Sequence, residues 1–161
     1  MNAGPAMTLR RARQLEAVHR AITLGLGAAA AHLSQFVGKP ITIEAPRLGL
    51  CAIDQLVECA LGSAFDEAPA HDAEAVMTGI YLTTSGDVEG HFVMLLAPAD
   101  ARALVAPLVA ELDVPEDQRE AVILSAQGEV GNITASGLLN ALADATGLRI
   151  GPSCPAVVTD M

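Results

Sequence analysis

Apolar residues recur at helical spacing from about Thr8 to Phe36, and the run closes at Gly38-Lys39-Pro40, where the glycine caps the last turn and the proline stops it. Ile41-Thr42-Ile43-Glu44 follows as a strand. Ile53, Leu56, Val57 and Leu61 return to helical spacing in a short helix from about Cys51 to Leu61, closed by Gly62. Ser63 to Glu74 is acidic, contains Pro69 and lacks apolar periodicity, which predicts a surface loop. Val76 to Thr84 and His91 to Leu96 are rich in β-branched and aliphatic residues, and the turn chemistry of Ser85 to Gly90 between them predicts a hairpin. A helix over Asp100 to Leu112 turns Leu104, Val105, Leu108 and Val109 inward, with Pro107 as a candidate kink. A long helix then starts near Pro115, with Glu116 and Asp117 placed where carboxylates suit the helix dipole, and runs to about Thr146. Gly147 ends it, and the chain returns from Arg149 to Val158 as a strand interrupted by Pro152 and Pro155.

The two long helices repeat one another. An offset of 109 positions superposes Leu33 on Leu142, Gly38 on Gly147, Ile41 on Ile150 and Pro46 on Pro155, so a helix–glycine–strand–proline unit occurs twice. Repeat one covers about residues 8–112 and repeat two about 113–161 of one domain spanning 1–161. A chain of 161 residues is long enough to bury well over half of its unfolded surface without a covalent staple.

Charge and composition remove several function classes. A net charge of −10 with one lysine, Lys39, gives no basic footprint for nucleic acid and suits an acidic regulator or adaptor surface. Arg10, Arg11, Arg13 and Arg20 before the apolar run Ala21 to Ala31 imitate a signal peptide. Glu16 and His19 interrupt that approach, however, and the run is glycine-broken and too short to span a bilayer, so a cytoplasmic protein without a membrane segment is expected. Cys51, Cys59 and Cys154 are odd in number and lack C-x-x-C spacing, and His19, His32, His71 and His91 form no zinc-type cluster. Reduced thiols and no metal site are the expectation.

The candidate chemistry lies on the second long helix. Ser125, Glu129 and Asn132 stand four and then three residues apart, which puts them on one helical face, and Pro155 follows on the returning strand. A carboxylate beside a carboxamide can orient a water and grip a cation. The 109-residue offset places Glu16 at Ser125, Arg20 at Glu129 and Thr23 at Asn132, so the first copy keeps the scaffold and lacks the acid–amide pair.

Glu129-Val130-Gly131-Asn132-Ile133, Leu139-Asn140-Ala141-Leu142, Thr146-Gly147-Leu148 and the stretch from Pro155 to Met161 together resemble the CheC family of chemotaxis phosphatases, with its CheC, CheX and FliY types. The resemblance implies an α+β fold with internal duplication, in which two long helices lie beside a central antiparallel sheet. It implies that Glu129 and Asn132 are catalytic, that Ser125 and Pro155 support them, and that Glu16, Arg20, Thr23 and Pro46 are a degenerate first site. The implied substrate is the aspartyl phosphate of a CheY-type response regulator that carries its own Mg2+. On that scheme this chain contributes no nucleophile, general base, cofactor or metal. Asn132 orients the attacking water, and Glu129 pairs with the regulator's phosphate-contacting lysine.

A second function implied by the same resemblance is that of a non-catalytic adaptor for a CheD-type receptor deamidase or for the flagellar switch, with the Cys51–Leu61 helix as a contact surface. Family members continue past the Asp-Met pair with another helix and hairpin, whereas this sequence stops at Met161. The second repeat is therefore expected to be incomplete, either with a sheet edge covered by a homodimer partner or because the sequence is a fragment. Plainer explanations stand beside each residue. Glu129 reads alone as a solvated charge, and Gly128, Gly131 and Gly137 as close packing. Arg20 and Thr23 read as decay or a reshaped docking surface, Asn140 as structural, Leu24 to Ala31 as core, and His32 and Cys154 as simply packed.

Overall fold

The computed structural model describes residues 5–43, 51–55 and 76–159, with side chains from Gln14 onward. Helix α1 (Pro5–Val37) leads to a 3-10 turn (Ile53–Gln55), then strands β1 (Thr78–Gly86) and β2 (Gly90–Leu96). Helices α2 (Pro98–Ala110) and α3 (Glu116–Thr146) follow, and β3 (Ile150–Pro152) and β4 (Ala156–Thr159) end the described chain. Among the described residues this is an α+β arrangement of three helices and one antiparallel sheet.

Helix α3 organises the molecule. Pro115 stands at its N-cap, Glu116 and Asp117 occupy its first turn, and Gly147, in the left-handed region at φ 73°, closes it by donating its N–H to the Ala143 carbonyl at 2.7 Å. Helix α1 buries Ala21, Gly25, Ala29, Leu33 and Val37, a stripe at four-residue spacing, and lies antiparallel against α3. Its small residues bring the backbones together. A Cβ on Gly25 would lie 2.6 Å from the Gly137 carbonyl oxygen, 2.9 Å from the Leu138 Cα and 3.0 Å from the Ala141 Cβ, so a larger residue pushes mainly against backbone. Farther along, Leu33 joins Val105 and Val109 of α2 and Ala126 and Val130 of α3 in the main core, with Ile41 and Ile43 packed on it. A second cluster of Ile80, Leu82 and Ala135 sits between the sheet and α3.

In the sheet, β1 is central. β2 pairs with it from Thr78↔Leu96 to Thr84↔Gly90. On the other side β3 pairs Thr84↔Pro152 to Gly86↔Ile150, and β4 pairs Thr78↔Thr159 to Tyr81↔Ala156. Between those two ladders Leu82 and Thr83 face Ser153, Cys154 and Pro155, so the returning strand carries one extra residue as a bulge. Ser153 secures it. Its N–H donates to the Thr83 carbonyl at 2.8 Å, and its hydroxyl accepts the Thr83 N–H at 3.0 Å. The outer edge of β2 meets no other strand among the described residues.

Most elements lie where the periodicity predicts them, with instructive differences. Ile41 to Ile43 form no strand. The Ser34 hydroxyl accepts the Ile41 N–H at 2.8 Å, and both isoleucines turn into the core, so this backbone is satisfied by a side chain and not by a ladder. β1 begins at Thr78, not Val76, and runs to Gly86, because Ser85 and Gly86 gain partners in β3; the turn shrinks to Asp87-Val88-Glu89. Helix α2 starts two residues early, with Pro98 in its first turn, and runs through Pro107. Of the expected Cys51–Leu61 helix, the described part holds the 3-10 turn; the remainder, the Ser63–Glu74 loop and Glu44 lie outside the described residues. The run Leu24 to Ala31 is only half core, since Gly25, Ala29 and Ala30 are buried whereas Leu24, Gly27, Ala28 and Ala31 are exposed.

An ion pair fastens the hairpin turn to the end of α3. Asp87 accepts from Arg149 Nη2 at 3.0 Å, from Nε at 3.3 Å and from the Arg149 backbone N–H at 2.9 Å, while its own N–H donates to the Arg149 carbonyl at 2.7 Å. The Arg149 side chain, and then its backbone N–H, hold the Asp87 carboxyl below its usual 3.8. A carboxyl depressed in the folded state contributes stability above its unfolded value, and that contribution is lost as the pH falls through the folded value. Asp87→Asn is therefore expected to lower the urea midpoint at pH 7 and to converge with the unmodified chain near pH 2. Gly25→Ala gains about 1 kcal/mol of helix propensity but meets backbone at the crossing, where overpacking costs about 1–3 kcal/mol or more. A net fall in melting temperature is expected by calorimetry.

Candidate functional site

The middle of α3 is enclosed on nearly all sides. Ala126, Gln127, Gly128, Val130, Gly131, Thr134, Ala135 and Leu139 are buried, so what remains toward solvent is a narrow strip. Ser125 and Glu129 are exposed on it and Asn132 is half-buried. The Asn132 carboxamide nitrogen donates to Glu129 Oε2 at 3.5 Å, at the long limit of a hydrogen bond. The two groups are neighbours that remain available to other partners. Their spacing of three residues produces this proximity on any regular helix; the enclosure gives it a fixed direction.

Two close contacts set that direction. A Cβ on Gly131, adjacent to Asn132, would run into the Ile80 side chain, so at this point the helix backbone rests directly on the central strand. At Gly128, adjacent to Glu129, a Cβ would lie 3.4 Å from Pro155 Cγ and 3.6 Å from Val157 Cγ2. Pro155 is thus brought against the helix one position before the acid by the β3–β4 bulge. The glycines read from the sequence as packing positions are that, and they are also what presses the strip into place. All four positions of the intact motif meet in one region, Ser125, Glu129 and Asn132 on α3 and Pro155 beside it.

The corresponding positions of the first helix lack that arrangement. Glu16, Arg20 and Thr23 are exposed on α1, and the Thr23 hydroxyl donates back to the His19 carbonyl at 2.9 Å, which engages it within its own helix. Pro46 lies outside the described residues.

Asn132 also opens into a groove of about 830 Å³ along the seam of α1 and α3. Arg20, Leu24 and His32 line it from α1, and Ser136, Asn140 and Asp144 from α3. Of these, Arg20 is offered by the sequence as a reshaped docking surface, whereas Leu24, His32, Ser136, Asn140 and Asp144 are not read there as part of a surface. Asn132, Ser136, Asn140 and Asp144 repeat every four positions, a polar stripe legible beforehand. His32 and Cys154, expected to be packed, are exposed. The reason for His32 is its place outside the four-residue stripe that α1 turns inward. Among the described residues no group of three His, Cys, Asp or Glu side chains is placed to hold a metal ion, and no helix is long and apolar enough to cross a membrane.

An α+β domain whose long helix presents an acid–amide pair beside a proline-braced strand is the class of protein in view. The CheC-like family model matches residues 122–159, from the middle of α3 through β4, which include all four motif positions. The CheY-P phosphatase CheC of Bacillus subtilis (strain 168) is 28% identical over 150 residues, covering 92% of this chain and 67% of that protein. The crystal structure of Thermotoga maritima FliY shares the fold, with a TM-score of 0.68 over 99% of this chain and 71% of that one at 19% identity. Residues 122–159 thus carry the CheC-like pattern, and the fold as a whole is similar to that of FliY.

Proposed function

We propose that this protein is a phosphatase acting on the aspartyl phosphate of a CheY-type response regulator. The observation that carries the reading is the Glu129–Asn132 pair, side by side on the one exposed strip of a helix held on its other sides. The B. subtilis relative, a CheY-P phosphatase by name, supports the same chemistry.

An acyl phosphate is already an activated compound, and the barrier that remains is largely positional: a water must be held in line with the leaving carboxylate oxygen. A carboxamide suits this because it accepts from the water with its oxygen and donates with its nitrogen, and it stays neutral. In the proposed complex Asn132 holds the water, which attacks phosphorus as the bond to the aspartyl oxygen breaks. Inorganic phosphate leaves with the water's proton, and the aspartate is regenerated. The exposed Glu129 carboxylate pairs with a lysine of the regulator and fixes the register of docking. Ser125 and Pro155 keep the helix and its flank in position. The regulator supplies the Mg2+ that neutralises its own phosphate.

The adaptor reading draws on the first helix, where Arg20 occupies the position of the acid and the Thr23 hydroxyl is engaged at the position of the amide. It makes a different statement about turnover: the chain binds its partner without accelerating loss of phosphate.

Asn132→Ala is expected to lower regulator dephosphorylation by about 100-fold or more, the scale of losing one positioned polar group, with regulator binding kept within a few-fold. Glu129→Ala is expected to raise KM as well as lower the rate. The measurement is phosphate release from a phosphorylated CheY-type regulator with Mg2+, and unchanged turnover in Asn132→Ala contradicts the assignment.

A further inference from the structure

The groove that Asn132 enters is longer than the Glu129–Asn132 pair requires. It follows the α1–α3 seam from His32 and Asn132 at one end to Arg20 and Asp144 at the other. On α3 it runs from Asn132 to Ala145, a length of about 20 Å at 1.5 Å per residue. Its floor is laid by Gly25 and Gly137, where the backbones touch, and by the alanines beside them. Leu24 stands on its lip with 73% of its surface exposed, the most open of the large apolar side chains described on α1. One wall carries Ser136 and Asn140 in line with Asn132, offering hydrogen bonds to the polar flank of whatever lies there.

Resting on the phosphatase reading, we propose that this groove receives an amphipathic helix of the same phosphorylated regulator, with Leu24 as its apolar anchor. Three observations favour that occupant. The groove is continuous with the catalytic amide, so a body that brings its phosphate to Asn132 already overlies it. An apolar trough between two antiparallel helices, about as long as three to four helical turns, is the shape into which a helix packs its ridges. The charges lie at the far end, where Arg20 and Asp144 both line the wall, and the middle is uncharged, which suits an apolar face flanked by polar residues. In this arrangement α1 reads the partner and α3 does the chemistry. The first helix, without an acid–amide pair of its own, then sets which regulator is accepted and at what affinity.

The test compares wild type, Leu24→Glu, Ala28→Glu and Asn132→Ala in two assays with a CheY-type regulator. One is steady-state dephosphorylation with Mg2+, and the other is calorimetric binding of the regulator loaded with beryllium fluoride as an unreactive phosphate mimic. Leu24 and Ala28 are exposed, so circular dichroism and melting temperature are expected to match wild type. Leu24→Glu is expected to raise both KM and Kd about tenfold with kcat within twofold of wild type, and Ala28→Glu to act in the same sense. Asn132→Ala is expected to do the reverse, losing kcat and keeping Kd. Unchanged KM and Kd in Leu24→Glu, with Asn132→Ala inactive, overturn the groove proposal and leave the phosphatase reading in place. A wild-type chain that neither binds nor accelerates overturns both. If Leu24→Glu alters self-association in sedimentation and not regulator affinity, the groove belongs to a second copy of this chain and the proposal fails.

Discussion

The structure depends on how closely the backbone of α3 is approached by its neighbours. Gly137 meets α1 at Gly25, Gly131 rests on Ile80 of the central strand, and Gly128 faces Pro155 beyond the bulge. Each contact removes a direction in which the helix could shift, and together they leave one strip of it open. The helix propensity lost at Gly131 and Gly137, roughly 1 kcal/mol each, is offset by packing that larger residues would prevent, whereas Gly128 lies in ordinary contact range of Pro155. A stiff helix with a single exposed face follows, and the acid and amide stand on that face. Positional chemistry needs such a support, because a misplacement of about 1 Å is enough to lose orders of magnitude in rate.

The two long helices have the same length class and opposite fates. On α3, Glu129 and Asn132 face outward as a pair. On α1, the same relative positions hold Arg20 and a threonine whose hydroxyl returns to its own backbone. Yet α1 forms one side of the groove that Asn132 enters, so a helix without such a pair still contributes to the surface around the amide.

Much of the fold was legible because periodicity and punctuation agreed. Gly38 and Gly147 both adopt positive φ where the helices end, and the hairpin register follows from two β-rich runs around a short turn. The motif was legible as spacing, since four and three residues on a helix dictate a shared face. Three things were not. Ile41 to Ile43 look like a strand by composition, and only the tertiary position of Ser34 and the core decides that their backbone is satisfied otherwise. The reach of β1 to Gly86 depends on β3, some 60 residues away, which no local signal contains. The exposure of His32 and Leu24 follows from the direction in which α1 rolls against α3, and in an alanine-rich helix the hydrophobic pattern specifies that weakly.

In the proposed reaction the position of the Asn132 amide, more than its chemistry, sets the rate. Asn132→Gln separates the two, because glutamine keeps the carboxamide and moves it by one methylene. Single-turnover release of phosphate from a CheY-type regulator should fall nearly as far with glutamine as with alanine. A glutamine variant that retains the wild-type rate contradicts the claim.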